Sequence, residues 1–288
     1  MKRLLLLSGK GGTGKTTTAA AFIAFSHARA MADCDVDAPN LHIVTQMTEE
    51  PETTDFLGGD KAYIDPEKCV CCGTCHDECR FHAIDRAGDT YRVNEYACEG
   101  CGVCAYVCPQ EAITLHEDRA GKQQLYRGER VFSTAKLKMG RGNSGKLVSN
   151  VKLAMLKNAP ADCDLAIIDG SPGIGCPVIA SVSGVDLVLV VAEPSLSGLS
   201  DLERLVKTAD TMQTHLAVCV NKWDVSPEKT AEIENFCREK DIPFLGKVPY
   251  DKTASAAINQ GKSIAEVDCP ASVALREIYQ KTSELLGL

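Results

Sequence analysis

Eight cysteines in the middle of the chain stand at a spacing that suits metal. In CVCCGTCHDECRFHAI, Cys69, Cys72, Cys75 and Cys79 follow the pattern C-x2-C-x2-C-x3-C. In CEGCGVCAYVCPQEAI, Cys98, Cys101, Cys104 and Cys108 repeat it with a shift of 29 residues. Three close cysteines can seat one face of an iron–sulfur cube, while the fourth crosses to a second cluster. The spacing therefore predicts two [4Fe-4S] clusters, one on Cys69, Cys72, Cys75 and Cys108, the other on Cys98, Cys101, Cys104 and Cys79. Pro109 follows Cys108 as in the bacterial run, whereas Arg80 holds the matching place after Cys79. Zinc is the rival, since paired C-x-x-C units also make zinc sites. The two intact runs with their three-residue crossover gap favour clusters. Cys71 lies outside the pattern and reads as a non-ligand.

A second set of reactive residues opens the chain. GKGGTGKT, from Gly9 through Lys10, Gly11, Gly12, Thr13, Gly14 and Lys15 to Thr16, matches G-x-x-x-x-G-K-[ST] in full. It follows an apolar run and precedes a helical pattern. The glycines let backbone N–H groups close on phosphates at a helix N-terminus, where the dipole favours anions. Lys15 would neutralise the β- and γ-phosphates, the Thr16 hydroxyl would ligate Mg2+, and Thr17 would contact the α-phosphate. The competing reading is a glycine-rich turn without a ligand.

The elements that must position these residues alternate. Strand-like runs (RLLLLS, RAMAD, DLAIID, DLVLVVA, HLAVCVN, IPFLGKVP) are separated by helical patterns such as KTTTAAAFIAFSHA, LSDLERLVKTADTM and SPEKTAEIENFCREK. Unbroken Val/Ile/Leu runs suit strands buried on both faces. Their alternation with helices predicts an α/β fold with a parallel sheet covered by helices. Residues 61–117 break the rhythm. They are rich in Cys and Gly, carry the internal repeat, and are too few to build a sufficient core without staples such as metal clusters. The predicted organisation is residues 1–60 and 118–288 forming one nucleotide-binding domain and 61–117 an inserted ferredoxin-like α+β domain. QQLYRGERVF reads as a hairpin, and residues 136–146 as a basic, glycine-rich functional loop. The C-terminal helix is expected to pack on the sheet through Val273, Leu275, Ile278 and Leu285.

GKGGTGKT resembles the deviant P-loop of the MinD/ParA ATPases and the nitrogenase iron protein. The resemblance spans nearly the whole chain outside the insert. It implies that Lys10 crosses a dimer to the partner's nucleotide, and hence an ATP-dependent homodimer. DCDVDAPNLH is similar to switch I, with Asp35 orienting the attacking water and assisting Mg2+, and Asp33 and Asp37 as alternatives. LAIIDGSPGIG is similar to Walker B and switch II, with Asp169 holding Mg2+ through water and Gly173 sensing the γ-phosphate. Asn221 in CVNKWD and Pro249 and Asp251 in VPYD match the family's base-reading positions. Carboxylates at strand ends also serve as helix caps, and that reading stays open for Asp35, Asp169 and Asp251. Cys176, seven residues past Asp169, matches roughly the place where the iron protein carries a cluster ligand. No second cysteine accompanies it, so it reads rather as a small buried residue at a helix start. Cys34, Cys163, Cys219, Cys237 and Cys269 lack ligand spacing.

Composition bounds the partners. The 288-residue chain has a formal charge of −8, which argues against a nucleic-acid binder. The run Leu4–Leu7 is short and leads into the glycine loop, so it reads as a first strand rather than a signal peptide. No run approaches a membrane span, and the C-terminal helix has no basic face. A cytoplasmic protein is expected, in which fifteen cysteines point to metal rather than disulfides. The reading is an ATP-hydrolysing iron–sulfur protein whose nucleotide state gates electron transfer to a redox or metallocluster-assembly partner. A cluster carrier is the alternative, and a positioning ATPase of the MinD/ParA type stands behind it. The insert falls between switch I and Walker B, so both of its anchors lead to nucleotide-sensing segments.

Overall fold

The computed structural model describes residues 1–47 and 49–288, with strands β1 (Lys2–Leu7), β2 (Ala30–Asp33), β3 (Glu52–Leu57), β4 (Lys61–Ile64), β5 (Ile84–Ala87), β6 (Thr90–Val93), β7 (Ile113–His116), β8 (Arg119–Arg127), β9 (Val131–Leu137), β10 (Leu165–Asp169), β11 (Leu187–Ala192), β12 (His215–Asn221) and β13 (Phe244–Val248). The helices are α1 (Lys15–Ser26), α2 (Leu41–Val44), α3 (Thr74–Asp77), α4 (Val103–Tyr106), α5 (Ser144–Asn158), α6 (Cys176–Val182), α7 (Leu196–Thr211), α8 (Pro227–Glu239), α9 (Lys252–Asn259) and α10 (Pro270–Leu286). Two compact units divide the chain. One comprises 1–53, 123–136 and 144–288, the other 54–122 and 137–143.

The first unit is an α/β fold on a mostly parallel sheet. Its strand order is β13-β12-β11-β1-β10-β2-β9-β8-β3, and each pairing from β13 to β9 is parallel. Leu4 to Leu7 are all buried, as expected of a central strand covered on both faces. β1 lies between β10 and β11, so the loop after it and the end of β10 emerge side by side. QQLYRGERVF forms the turn joining β8 to β9, which are neighbours in the sheet.

α10 packs on α1 and β13, but not through the expected stripe. Leu275 and Ile278 are buried with Ala271, Thr282 and Leu286, while Val273 and Leu285 are exposed. The buried positions recur at three or four residues. Val273, two residues from Leu275, necessarily turns away from that face.

The second unit is built twice over. β4, α3 and β5 recur as β6, α4 and β7, each shifted by 29 residues. The halves interlock: β4 pairs antiparallel with β7, and β5 with β6. Its small core joins Ala62, Ile64, Ala83, Ile84 and Ile113 to the cysteines themselves. The repeat reaches the backbone. Cys71 (φ 56) matches Gly100 (φ 66), and His82 matches Glu111 (both φ 48). The basic loop is tied down within this unit. Arg141 bonds Glu95 at 2.6 Å and Asp118 at 3.3 Å, with Tyr96 beneath its guanidinium. Among the described residues no helix is long and apolar enough to cross a membrane.

Candidate functional site

The loop after β1 wraps a cavity of about 590 Å³ lined by Ser8, Gly11 to Thr17, Asp35, Asn40 and Pro172. α1 begins at Lys15 with no side-chain cap and no acidic residue in its first turn. Its free N–H groups therefore face the cavity, as an anion requires. Gly14 has φ 94, and a Cβ there would lie 2.2 Å from Asn221 Nδ2, so only glycine fits. The buried hydroxyl of Thr13 has no partner among the described residues, an orphan that a phosphate oxygen would satisfy.

Asp169, at the end of β10, is the hub of this site. Thr16 donates to its Oδ2 at 2.6 Å, and the Lys15 ammonium pairs with Oδ1. The carboxylate and the hydroxyl are the hard oxygen donors that Mg2+ takes. Asp35 lines the same cavity and accepts from the Ala38 N–H at 3.3 Å, with burial raising its pKa. Its alternatives do other work. Asp33 is fully buried and shapes the turn, accepting from the N–H groups of Asp35, Asn40 and Leu41 at 3.0, 2.9 and 3.0 Å. Burial, and then the Asp169 carboxylate, push Asp33 up to about 7. Asp37 is exposed and does not line the cavity. Gly173 (φ 94) donates its N–H to the Ser8 carbonyl at 3.0 Å.

Lys10 is held within its own chain, 2.9 Å from the Glu193 carboxylate and 3.1 Å from the Ser195 hydroxyl. Glu193 also pairs with Lys222 at 3.2 Å, and Lys222 donates to the Gly12 carbonyl at 3.1 Å. Burial pushes the Glu193 carboxyl up, but the two lysines prevail and hold it below the usual range. A neighbouring cavity of about 630 Å³ brings Gly12, Gly14, Thr17, Asn221, Pro249 and Asp251 together. Asn221 Nδ2 donates to the Thr13 carbonyl at 2.7 Å. Asp251 caps α9, accepting from the Thr253 and Ala254 N–H groups at 2.8 and 3.3 Å, and also lines this cavity.

In the second unit, each cysteine run contributes to two cavities. One, of about 340 Å³, is lined by Cys69, Cys72, Cys75 and Cys108; the other, of about 370 Å³, by Cys98, Cys101, Cys104 and Cys79. Cys71 lines neither. The Ala83 and Ala112 N–H groups donate to Cys79 and Cys108 sulfur at 3.4 and 3.3 Å, again in register with the repeat. Burial pushes Cys75 up to about 11, whereas the Thr74 hydroxyl holds Cys72 below the usual thiol range. Among the described residues no three His, Cys, Asp or Glu side chains converge closely enough to hold one metal ion.

The profile of the CobQ/CobB/MinD/ParA nucleotide binding domain matches residues 4–264. The chain belongs to this family. As a CobQ/CobB/MinD/ParA protein it binds ATP and is an ATPase, and its phosphate cavity suits ATP with Mg2+. It is 29% identical over 99% of its length to an uncharacterized protein of Methanocaldococcus jannaschii, covering 97% of that protein. It is 25% identical to the iron-sulfur cluster carrier protein of Pyrococcus horikoshii, over 97% of this chain and 84% of that one. The septum site-determining protein MinD of Pyrococcus horikoshii, solved with Mg-ADP, shares the fold at TM-score 0.59 and 16% identity, over 99% of this chain and 97% of that one.

Glu193, Ser195 and Lys222 were not singled out in the sequence of this MinD/ParA-family chain. Lys222 adjoins Asn221 and Glu193 ends an apolar strand run, but only the fold brings them to the glycine loop. Cys176 is exposed at the start of α6, not buried. Cys34, Cys163, Cys219, Cys237 and Cys269 are buried.

Proposed function

We propose that this ATPase couples its nucleotide state to one-electron transfer through two [4Fe-4S] clusters, serving a redox or metallocluster-assembly partner. The observation that carries the reading is the lining of the two cavities, each by three cysteines of one run and the fourth of the other. Four thiols lining one cavity suit a cube, in which each thiolate takes a different iron. When bound, the clusters supply one-electron redox chemistry.

The chain's own residues supply the rest. Backbone N–H groups from Gly11 to Thr17 cradle the phosphates. Lys15 exchanges Asp169 for phosphate oxygens, Thr16 and Asp169 hold Mg2+, and Asp35 orients the attacking water. Gly173 exchanges the Ser8 carbonyl for the γ-phosphate, moving the switch II turn. Lys10 leaves Glu193 to reach the nucleotide of a second copy, so ATP favours a homodimer. Asn221 and the Pro249–Asp251 turn border the base. Both ends of the insert, residues 61–117, lead in the chain to these responsive segments. Nucleotide-dependent gating of its redox chemistry follows from that placement in sequence.

A cluster-carrier role is the second reading, favoured by the name of the Pyrococcus relative. Anaerobically purified protein should contain about eight iron and about eight acid-labile sulfide per chain, as two [4Fe-4S] clusters require. Stoichiometric zinc without sulfide would sink the cluster reading. Iron that becomes accessible to a chelator on MgATP addition would favour the carrier; iron retained through turnover favours electron transfer.

A further inference from the structure

Because one 29-residue repeat builds both cysteine-lined cavities, most lining residues of one have a counterpart in the other; Pro109 of the first and Glu78 and Gly100 of the second do not. Val70 at the first corresponds to Glu99 at the second, Thr74 to Val103, and Tyr91 to Ala62. The first cavity is therefore lined by two hydroxyl-bearing side chains and no charged one. The second is lined by two carboxylates, Glu78 and Glu99, and no hydroxyl. Thr74 Oγ1 stands 3.5 Å from Cys72 Sγ. Val103, in the matching place beside Cys101, has no proton to donate.

Reduction adds negative charge to a cluster. A hydroxyl donated to a ligating sulfur stabilises that charge, and nearby carboxylates oppose it. The Lys61 ammonium acts the other way at the second site, where it donates to the Cys98 carbonyl. Against it stand both carboxylates and the missing hydroxyls.

We infer that the site of Cys69, Cys72, Cys75 and Cys108 has the more positive potential and is reduced first, and that Thr74, acting through Cys72, sets much of the difference. The inference rests on the two-cluster reading above. One electron enters from a one-electron reductant; no bond forms or breaks and no proton is taken up.

The test is an EPR-monitored titration of the anaerobic full-length protein with dithionite and mediators. Two separate potentials are expected. Thr74→Val should lower the more positive one and leave the other in place, and Thr74→Ser, which keeps the hydroxyl, should restore it. Independently, Val103→Thr should raise the more negative potential. Iron and sulfide content shows that each variant keeps both clusters. A single shared potential in the unmodified protein, or a Thr74→Val that shifts only the more negative potential or neither, overturns the inference and leaves the two-cluster reading intact. Protein with zinc and no sulfide overturns both.

Discussion

The Thr16 hydroxyl lies 2.6 Å from Oδ2 of Asp169. The two residues come from opposite ends of the site, one opening α1 and the other closing β10. The same carboxylate is neutralised by Lys15, and both members of that ion pair are buried, at 6% and 0% side-chain exposure.

Lys15→Ala should abolish MgATP turnover, because it removes a phosphate contact, and should also destabilise the nucleotide-free protein. An uncompensated buried carboxylate costs about 3–5 kcal/mol. Adding Asp169→Asn should recover much of that stability in denaturant melts while turnover stays lost, on the order of 100-fold or more. A double variant as unstable as Lys15→Ala would show that the pair is not the source of the loss.

Asp35→Ala should bind MgATP but hydrolyse it slowly, accumulating a dimer in light scattering. Lys10→Ala in that background should return the protein to monomer without changing its iron content. Normal turnover in Asp35→Ala would remove this carboxylate from the mechanism. Asp33 is then a poor substitute, since its oxygens are committed to three backbone N–H groups.

The crossed cavities predict an unusual pairing of cysteine phenotypes. Cys108→Ser should impair the same cluster as Cys72→Ser, although the two residues lie in different runs. Cys79→Ser should match Cys101→Ser. Iron content and EPR of the four single variants decide this, and phenotypes grouped by run would contradict the crossed arrangement. Cys71→Ser should retain full iron.

Lys152 of α5 is buried and donates to the carbonyls of Ala180, Ser181 and Ser183 at 3.0, 2.6 and 2.6 Å, closing the C-terminal end of α6. Burial lowers its pKa to about 8, with the Cys34 thiol pulling the other way. Between that value and the usual lysine pKa the unfolded chain binds more protons than the folded one. The contribution of Lys152 to stability therefore rises with pH across about 8 to 10.4. Lys152→Met should lower stability by roughly 1–3 kcal/mol at neutral pH, as carbonyls lose their donor. It should also flatten the alkaline rise, which melts at several pH values would read.

The sequence by itself determined the features that are contiguous in the chain. The glycine loop with Lys15 and Thr16, the cysteine spacing and the 29-residue repeat depend on neighbours a few residues apart. Buried strands announce themselves as Leu/Val/Ile runs for the same reason. A helical stripe is less local, and Val273 and Leu285 were misplaced because their faces depend on what α10 packs against.

Tertiary structure decided which partner each charged group takes. The Lys15–Asp169 pair spans 154 residues and the Lys10–Ser195 bond 185, distances over which spacing carries no signal. The parallel order of β11, β1, β10 and β2 makes them neighbours by bringing the strand ends to one edge. It is also the fold that separates Asp33, buried under its own turn, from Asp35, open to the phosphate cavity. Asp33 closes β2 and accepts from the backbone of the turn that folds over it, whereas Asp35 lies in the loop beyond the strand and lines the cavity. Likewise, pattern alone makes the two cysteine runs look equivalent. Only their folding into crossed cavities sets Thr74 at the lining of one and Glu99 at the lining of the other.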